Sequence, residues 1–462
     1  MTHKSVLIIA HDFPPIRTSG IYRPLKFAKY LPEFGWQPVV VSAQPFGVGA
    51  LDDSMLRELP ADVEVIRAER PSMLDWEARV YKRLLRRDPR ELTRVSKSAD
   101  HTGKPAPAPG TSWRNLLLRG VLSPARALLQ HALYFPDDAN LWARHAYQAA
   151  AEVVGRRKID AIFSTSSPAS AHLVAAALSR RFSIPWVADF RDPWTRNIPK
   201  QHDPALRRAI ERRVEIAVLR RASQIIYISD RLAELAREAF PMVPASKFHV
   251  IENGYDESDF SGAGAYCASP DQPLTMLNVG TIYRSTGFES LLAVIEQLHA
   301  DQPSLAPRLE HVGPLFSDQR QRLAKLDELG AVSLSGVVSH DRIAAMMVRA
   351  DVHVLTVPDG AVDRPANIPG KLYEQLRSGR PILYVGPEND TSRHIANADA
   401  GWVFRAEQRE ELATKLTELV AAKRIGSLPH GALPSRVGHF ERRQLTRLLS
   451  DRLIAAVEGR TS

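Results

Sequence analysis

The sequence predicts an α/β protein of two Rossmann-like, doubly wound domains facing an interdomain cleft, with a C-terminal helix. Three observations carry this prediction. A chain of 462 residues exceeds what one hydrophobic core ordinarily serves, so two domains of roughly 150–250 residues are expected. Short apolar or β-branched runs alternate with stretches of helical length, the pattern of parallel strands covered on both faces by helices. That alternation breaks once and then restarts.

Taken in order, residues 6–10, 38–43, 160–165, 185–190 and 224–229 read as buried strands. Between the first two, Ile21, Leu25, Ala28 and Leu31 share one face of a helix predicted over 21–34. The stretch SGAGAYCASPDQ at 261–272 is rich in Gly, Ala, Ser and Pro and lacks periodicity, which makes it a linker. Strands resume at 274–279, 309–312, 332–335, 352–357 and 381–385, and the tail over 440–457 reads as one long helix. The expected division is therefore a first domain over 1–260, a second over 273–435, and a helix within 436–462 packing back across both. One region, 70–135, falls outside the alternation. Its middle, 101–109, is Pro-rich and reads as a loop, while 76–94 and 113–131 have apolar faces suited to amphipathic helices.

Composition narrows the class. The chain is 44% hydrophobic and 24% charged, a globular balance. Its single cysteine, Cys267, allows neither an internal disulfide nor a Cys-rich metal site, and suits a reducing cytoplasm. The N-terminal apolar run is too short for a signal sequence and reads as a first strand, and no run approaches a membrane span. The formal net charge is +9, and between Arg70 and Gln130 there are 13 Lys/Arg against 5 Asp/Glu. Nearly the whole excess thus sits in one segment. It is either a solvated insertion or a surface for anionic lipid or a lipid-linked acceptor. No nucleic-acid motif accompanies the charge.

Three constellations can carry chemistry. Gly20 precedes a helix just after the first strand, where close backbone approach and unpaired N–H groups suit a diphosphate. A GxGxxG pattern is absent, which argues against a dinucleotide cofactor. In NVGTIYRSTGFESLL, Gly280 closes a strand and Arg284 follows at the carboxyl edge of the sheet, placed to fork onto phosphate oxygens. In ANIPGKLYEQLRSGRPILYVG, Lys371 and Glu374 lie one turn apart on a helix that ends at Gly379. Each has a plainer alternative: an ordinary strand–helix turn at Gly20, a surface ion pair at Arg284, and an i,i+3 salt bridge between Lys371 and Glu374.

Taken together, the segments DFPPIRTSGIYRPLKFAKYLPEFGW, ADFRDPW, ENGYD, VGTIYR and KLYEQLRSGRPIL resemble, in order and over nearly the whole chain, a family-4 retaining glycosyltransferase of the GT-B fold. The nearest flavour is the branch that builds bacterial capsule, exopolysaccharide or O-antigen chains. The resemblance implies a sugar transferred from a nucleotide-diphosphate sugar to a glycan or lipid-linked acceptor, with retention, by a cytoplasmic or peripheral membrane enzyme of the cell envelope. It implies that Gly20 and Gly280 approach the donor, that Arg284 and Lys371 hold its diphosphate, that Glu374 holds the ribose, and that Asp189 and Asp192 lie on the acceptor side. The first glutamate of the family's signature falls here on Ala366, and the lysine that often follows the arginine is replaced near Ser285 and Thr286. Asn367 is then expected to contact the donor sugar.

Cleavage of a sugar–diphosphate bond places negative charge on the leaving phosphate, so cations and N–H dipoles in a dry cleft are what the chemistry needs. Arg284, Lys371 and Asp192 are the catalytic candidates. No DxD-type acidic loop is present, so transfer is expected without metal, and the nucleotide sugar is a co-substrate rather than a cofactor. Asp137–Asp138 reads as a helix N-cap before Leu141. His11 sits where the first strand ends, and His172, His311, His340 and His353 lie within elements; structural roles suit them better. Two alternatives stay open: a nucleotide-sugar epimerase or phosphorylase on the same architecture, and a non-catalytic partner in polysaccharide assembly.

Overall fold

The computed structural model describes residues 4–16, 18, 20–45, 53–71, 135–196, 204–267, 269–282, 285–303, 306–315, 317–358 and 368–459. The helices predicted over 76–94 and 113–131, the loop at 101–109 and nearly all of the basic insertion 70–135 lie outside them, as do Arg284, Ala366 and Asn367. The described chain forms two parallel sheets, each within an α/β architecture, so the predicted fold class stands. By compactness it separates into Met1–Pro24 with Gln37–Ala188, and Leu25–Trp36 with Asp189–Ser462.

The first sheet has seven strands, β1 (Lys4–Ile9), β2 (Trp36–Ala43), β3 (Glu64–Ala68), β4 (Ala161–Ser166), β5 (Trp186–Phe190), β6 (Gln224–Tyr227) and β7 (Phe248–Val250). Their order is β3-β2-β1-β4-β5-β6-β7. The chain winds outward in one direction from β1 and then in the other from β4, so the topology switches between these two strands. Parallel pairing of Val6 with Ala161 and Ile9 with Ser164 fixes the register there. The helix predicted over 21–34 is Tyr22–Tyr30 followed by a tighter turn, Leu31–Phe34. Pro32 lacks the N–H that a continued α-helix needs. Helices Asn140–Arg156 and Ser170–Phe182 flank β4. Asp137 corrects its expected role: besides accepting from the Ala139 N–H at 3.2 Å, its carboxylate receives the Ser170 N–H at 2.9 Å. It therefore also serves the start of the second of these helices, where negative charge is favoured.

The second sheet has six strands, β8 (Thr275–Val279), β9 (Arg308–Val312), β10 (Val332–Gly336), β11 (Val352–Thr356), β12 (Ile382–Val385) and β13 (Gly401–Phe404), in the order β10-β9-β8-β11-β12-β13. Here the switch falls between β8 and β11, paired through Met276 and Val352. Successive residues of a strand point to opposite faces. Accordingly Leu383 and Val385 of β12 join a core with Leu291, Ile295 and Leu416, while Ile382 and Tyr384 join another with Leu355, Leu376 and Ile395. Both faces are covered, as an all-parallel sheet requires.

The tail helix predicted over 440–457 is found as Arg442–Glu458, set off by a break from the short turns Pro434–Val437 and Gly438–Phe440 that precede it. Glu441 at the break caps the long helix by accepting the Gln444 N–H at 3.1 Å. This helix packs on Leu31–Phe34, with Trp36 Nε1 donating to Ser450 Oγ at 3.1 Å. The ENGYD segment is drawn to the same place, since Tyr255 pairs through its backbone with Phe440 and Arg442. Its Asp256 is buried among Lys26, Lys29 and the Tyr30 hydroxyl, at 2.7, 2.9 and 2.6 Å. Burial alone would raise the Asp256 carboxyl, but Lys26 and the hydrogen bonds from Tyr30 and Lys29 override it and hold it well below the usual carboxylate range. No described helix is long and apolar enough to cross a membrane.

Candidate functional site

In open parallel sheets the carboxyl ends of the strands at the switch point form a crevice, because the connecting chains depart to opposite faces there. In the second sheet that crevice lies between the ends of β8 and β11. It is lined by Asn278, Thr281, Ile282 and Ser285 on one side, and by Thr356, Val357, Pro358 and Lys371 on the other.

Gly280 turns the chain out of β8 with φ at +98°, a left-handed conformation that favours glycine. Ser285 then caps the helix Thr286–Asp301 by accepting the Phe288 N–H at 3.3 Å. That helix starts hard against the sheet. A Cβ at Gly287 would fall well inside contact distance of the Val385 carbonyl oxygen, so glycine is what lets the helix begin here.

Lys371 opens the seven-residue helix Lys371–Arg377. Its stem passes Gly280, and its ammonium donates to the Val279 carbonyl oxygen at 2.7 Å. The charge is thus directed to the end of β8 rather than along its own helix to Glu374. Part of the side chain reaches solvent, but the ammonium is desolvated, and burial pulls the amine down to about 8. It has three donors, one of which goes to Val279. A cation with donors to offer, at the open edge of a parallel sheet, is suited to hold an anion.

Beneath it runs a polar row within the strands. Asn278 donates to the Val354 carbonyl at 3.4 Å and sits 3.1 Å from His311 Nδ1. His311 is fully buried, and its Nε2 has no hydrogen-bond partner among the described residues. Desolvation, and then the positive charge of Lys371, push this imidazole down to about 4, so it is neutral at pH 7. His353 is likewise buried, bonded to Ser378 Oγ at 2.8 Å and pushed down to about 3 by desolvation and then Arg380. Sequence reasoning treated both histidines as structural and passed over Asn278. An asparagine inside TMLNVG, two residues before the strand-closing Gly280, was the signal that could have drawn attention to it.

The structure therefore brings Gly280 and Lys371 together, with Glu374 one turn further along the same helix and half-buried. Asp189 lies at the end of β5, fully buried, and Asp192 is exposed in the bend that follows. Gly20 occupies the turn before the helix Tyr22–Tyr30, where the Ile21 N–H meets the Thr18 carbonyl at 3.4 Å. At the switch point of the first sheet, His11 is buried, 2.7 Å from Asp12 through Nδ1 and edge-on to Trp142 at 4.8 Å. Thr18 also donates to Asp12, at 3.1 Å.

Comparison with known proteins agrees with this architecture. Residues 106–259 match the model of Glycosyltransferase Family 4, and residues 273–422 match that of Glycosyl transferases group 1. Among curated protein sequences none matches the chain. Among solved structures, the chain is similar to HepE of Anabaena, determined with UDP-glucose, at 15% identity and a TM-score of 0.56, covering 98% of this chain and 100% of that one. It is similar to sucrose-phosphate synthase of Thermosynechococcus elongatus at 14% identity and a TM-score of 0.53, covering 99% and 98%. It is also similar to the N-terminal domain of Candida albicans trehalose-6-phosphate phosphatase, at 11% identity and a TM-score of 0.60, covering 98% and 97%. Two glycosyltransferase models thus match in tandem, and the pair of parallel-sheet domains has the GT-B fold of these neighbours, so the chain carries the domains of a transferase acting on sugars.

Proposed function

We propose that this glycosyltransferase takes its sugar from a nucleotide-diphosphate donor whose phosphates are held in the crevice between β8 and β11. The carrying observation is the desolvated ammonium of Lys371 at the topological switch point. In a water-poor site a cation interacts with developing phosphate charge far more strongly than in water. Lys371 would hold the leaving phosphate, and Gly280 would let the backbone come close. Arg284, two residues beyond Ile282, would add a second cation and a forked set of donors. With two cations for the leaving charge, transfer needs no metal in this reading. Glu374 would accept from the ribose, and Asn367 would contact the sugar. HepE structures with UDP and UDP-glucose make uridine nucleotides the first probes.

The reading extends to retention, to a hexosyl donor, and to a first domain over 1–260 whose Gly20 would approach the donor diphosphate and whose Asp192 would meet a glycan or lipid-linked acceptor. The donor domain is 273–435, with the C-terminal helix in 436–462. The place proposed is the cell envelope's polysaccharide synthesis, at the cytoplasmic face of the membrane, with the basic insertion 70–135 facing anionic lipid. Ala366, standing where a glutamate is expected, favours one competitor, a non-catalytic assembly partner. Release of nucleoside diphosphate from a panel of UDP-, GDP- and dTDP-sugars, with membrane extract as acceptor, decides between them. Turnover with one donor that falls at least about tenfold in both Arg284→Ala and Glu374→Gln supports the transferase. No release with any donor, or unchanged release in both variants, refutes it.

A further inference from the structure

The helix Ala205–Arg221 sorts its charges in a way that packing does not require. Both of its acids turn inward: Glu211 is 2% exposed and Glu215 3%. Glu211 is paired with Arg207, and Glu215 receives the Thr195 N–H at 3.3 Å. Of the arginines, Arg213, Arg220 and Arg221 are exposed on the outward side, whereas Arg212 reaches back to the Ala239 carbonyl oxygen at 3.1 Å. On that outward side stand two aliphatic side chains one turn apart, Leu206 at 73% exposure and Ile210 at 42%. At 3.6 residues per turn, Leu206, Ile210, Arg213, Ala217 and Arg220 share an arc of about 80°. The opposite face packs through Val218 and Leu219.

A solitary exposed leucine needs no explanation. Two on adjacent turns, ringed by cations and free of any exposed acid on the same helix, have the composition of a helix that lies in a headgroup layer. The outward face carries no aromatic side chain, so it lacks the stacking groups with which a nucleic-acid surface would engage bases. An acidic protein would account for the arginines but not for leucine and isoleucine at the centre of the stripe. We infer that the outward face of Ala205–Arg221 docks on an anionic phospholipid surface, with Leu206 and Ile210 entering the acyl boundary and Arg213 and Arg220 meeting lipid phosphates. This surface is distinct from the insertion 70–135, and it is tested without a sugar donor, so it stands or falls apart from the transfer reading.

The test is flotation of the full chain with vesicles of phosphatidylcholine alone or of phosphatidylcholine with phosphatidylglycerol. Two double variants are compared with the parent: Leu206→Ser with Ile210→Ser, and Arg213→Glu with Arg220→Glu. The substituted side chains are exposed, so melting temperatures should match the parent and confirm folding. The parent is expected to float only with the anionic vesicles, with weaker binding as salt rises. Each double variant is expected to lose at least about fivefold of that binding. Every variant keeps the insertion 70–135. Unchanged flotation of either double variant would therefore assign binding elsewhere and overturn the proposal. So would equal binding to neutral vesicles, or a parent that binds single-stranded RNA while ignoring both vesicle types.

Discussion

At the scale of residues, the proposed donor site rests on Lys371. A buried charge is a cost to the fold that a functional site tolerates, and this produces a prediction with two signs. Lys371→Met should lower donor turnover about 100-fold, while the melting temperature stays level or rises, because an apolar side chain suits the desolvated position at least as well. Steady-state release of nucleoside diphosphate and a thermal melt measure the two together. A lysine of purely structural value would lose stability instead. The amine at about 8 also sets a pH dependence. Between about pH 7 and pH 9 the site loses its proton, so affinity for a nucleoside diphosphate should fall about tenfold. Stability responds in the opposite sense. The unfolded chain holds this proton up to the ordinary lysine value of 10.5, the native chain only to about 8, so the cost of burying the charge is relieved as pH rises through that window.

Part of this site was legible beforehand and part was not. Lys371, Glu374 and Gly280 stood out because glycine and proline punctuate their segments and the charges are spaced by one helical turn. Asn278 and His311 did not. Asn278 is a polar residue inside the apolar end of β8 and His311 follows Glu310 in β9, and what matters is that β8 and β9 run side by side. That adjacency is a property of strand order rather than of local sequence. His311 and His353 carry a consequence of their own. Both are buried and neutral, at about 4 and about 3, against an ordinary value of 6.5. Below about pH 6.5 the unfolded chain binds protons that the native chain refuses, so stability should decline as pH falls. Replacing His311 by Asn should flatten part of that decline in a series of denaturant melts, and an identical slope would remove His311 as a cause.

At the scale of elements, the ENGYD segment acts as a clasp for the C-terminal helix and for Lys26, Lys29 and Tyr30. Asp256 and Lys26 are both almost wholly buried, and removing one partner leaves the other charge without compensation. Asp256→Ala is therefore expected to cost about 3–5 kcal/mol by denaturant unfolding; a loss below about 1 kcal/mol would show that the network contributes little. The helix at Thr286 makes a second point. Gly287→Val would collide with the end of β12 and should distort the crevice as well as the fold, seen as loss of both nucleotide binding and melting temperature. Elements also divide by how well sequence revealed them. Strands interior to the two sheets were all readable, most of them as runs of apolar or β-branched residues on both faces. β3, β7 and β13, all at sheet edges, were missed. They are five, three and four residues long, and β3 presents Glu64 and Arg67 to its surroundings, so no sustained apolar run marks them.

At the scale of the whole molecule, two sheets of the same winding came from one pattern repeated along the chain, and that repetition was plain in the sequence. A ligand of the second sheet should stabilise the chain by mass action, by about 2.7 kcal/mol at 100 times its dissociation constant. Uridine diphosphate should therefore raise the melting temperature of the parent. The most direct test of the central claim is calorimetric titration of uridine, guanosine and thymidine diphosphates into the parent and into Lys371→Met. One of these nucleotides is expected to bind the parent and to bind the folded variant at least about tenfold more weakly. Equal affinity of both proteins for that nucleotide would contradict the claim.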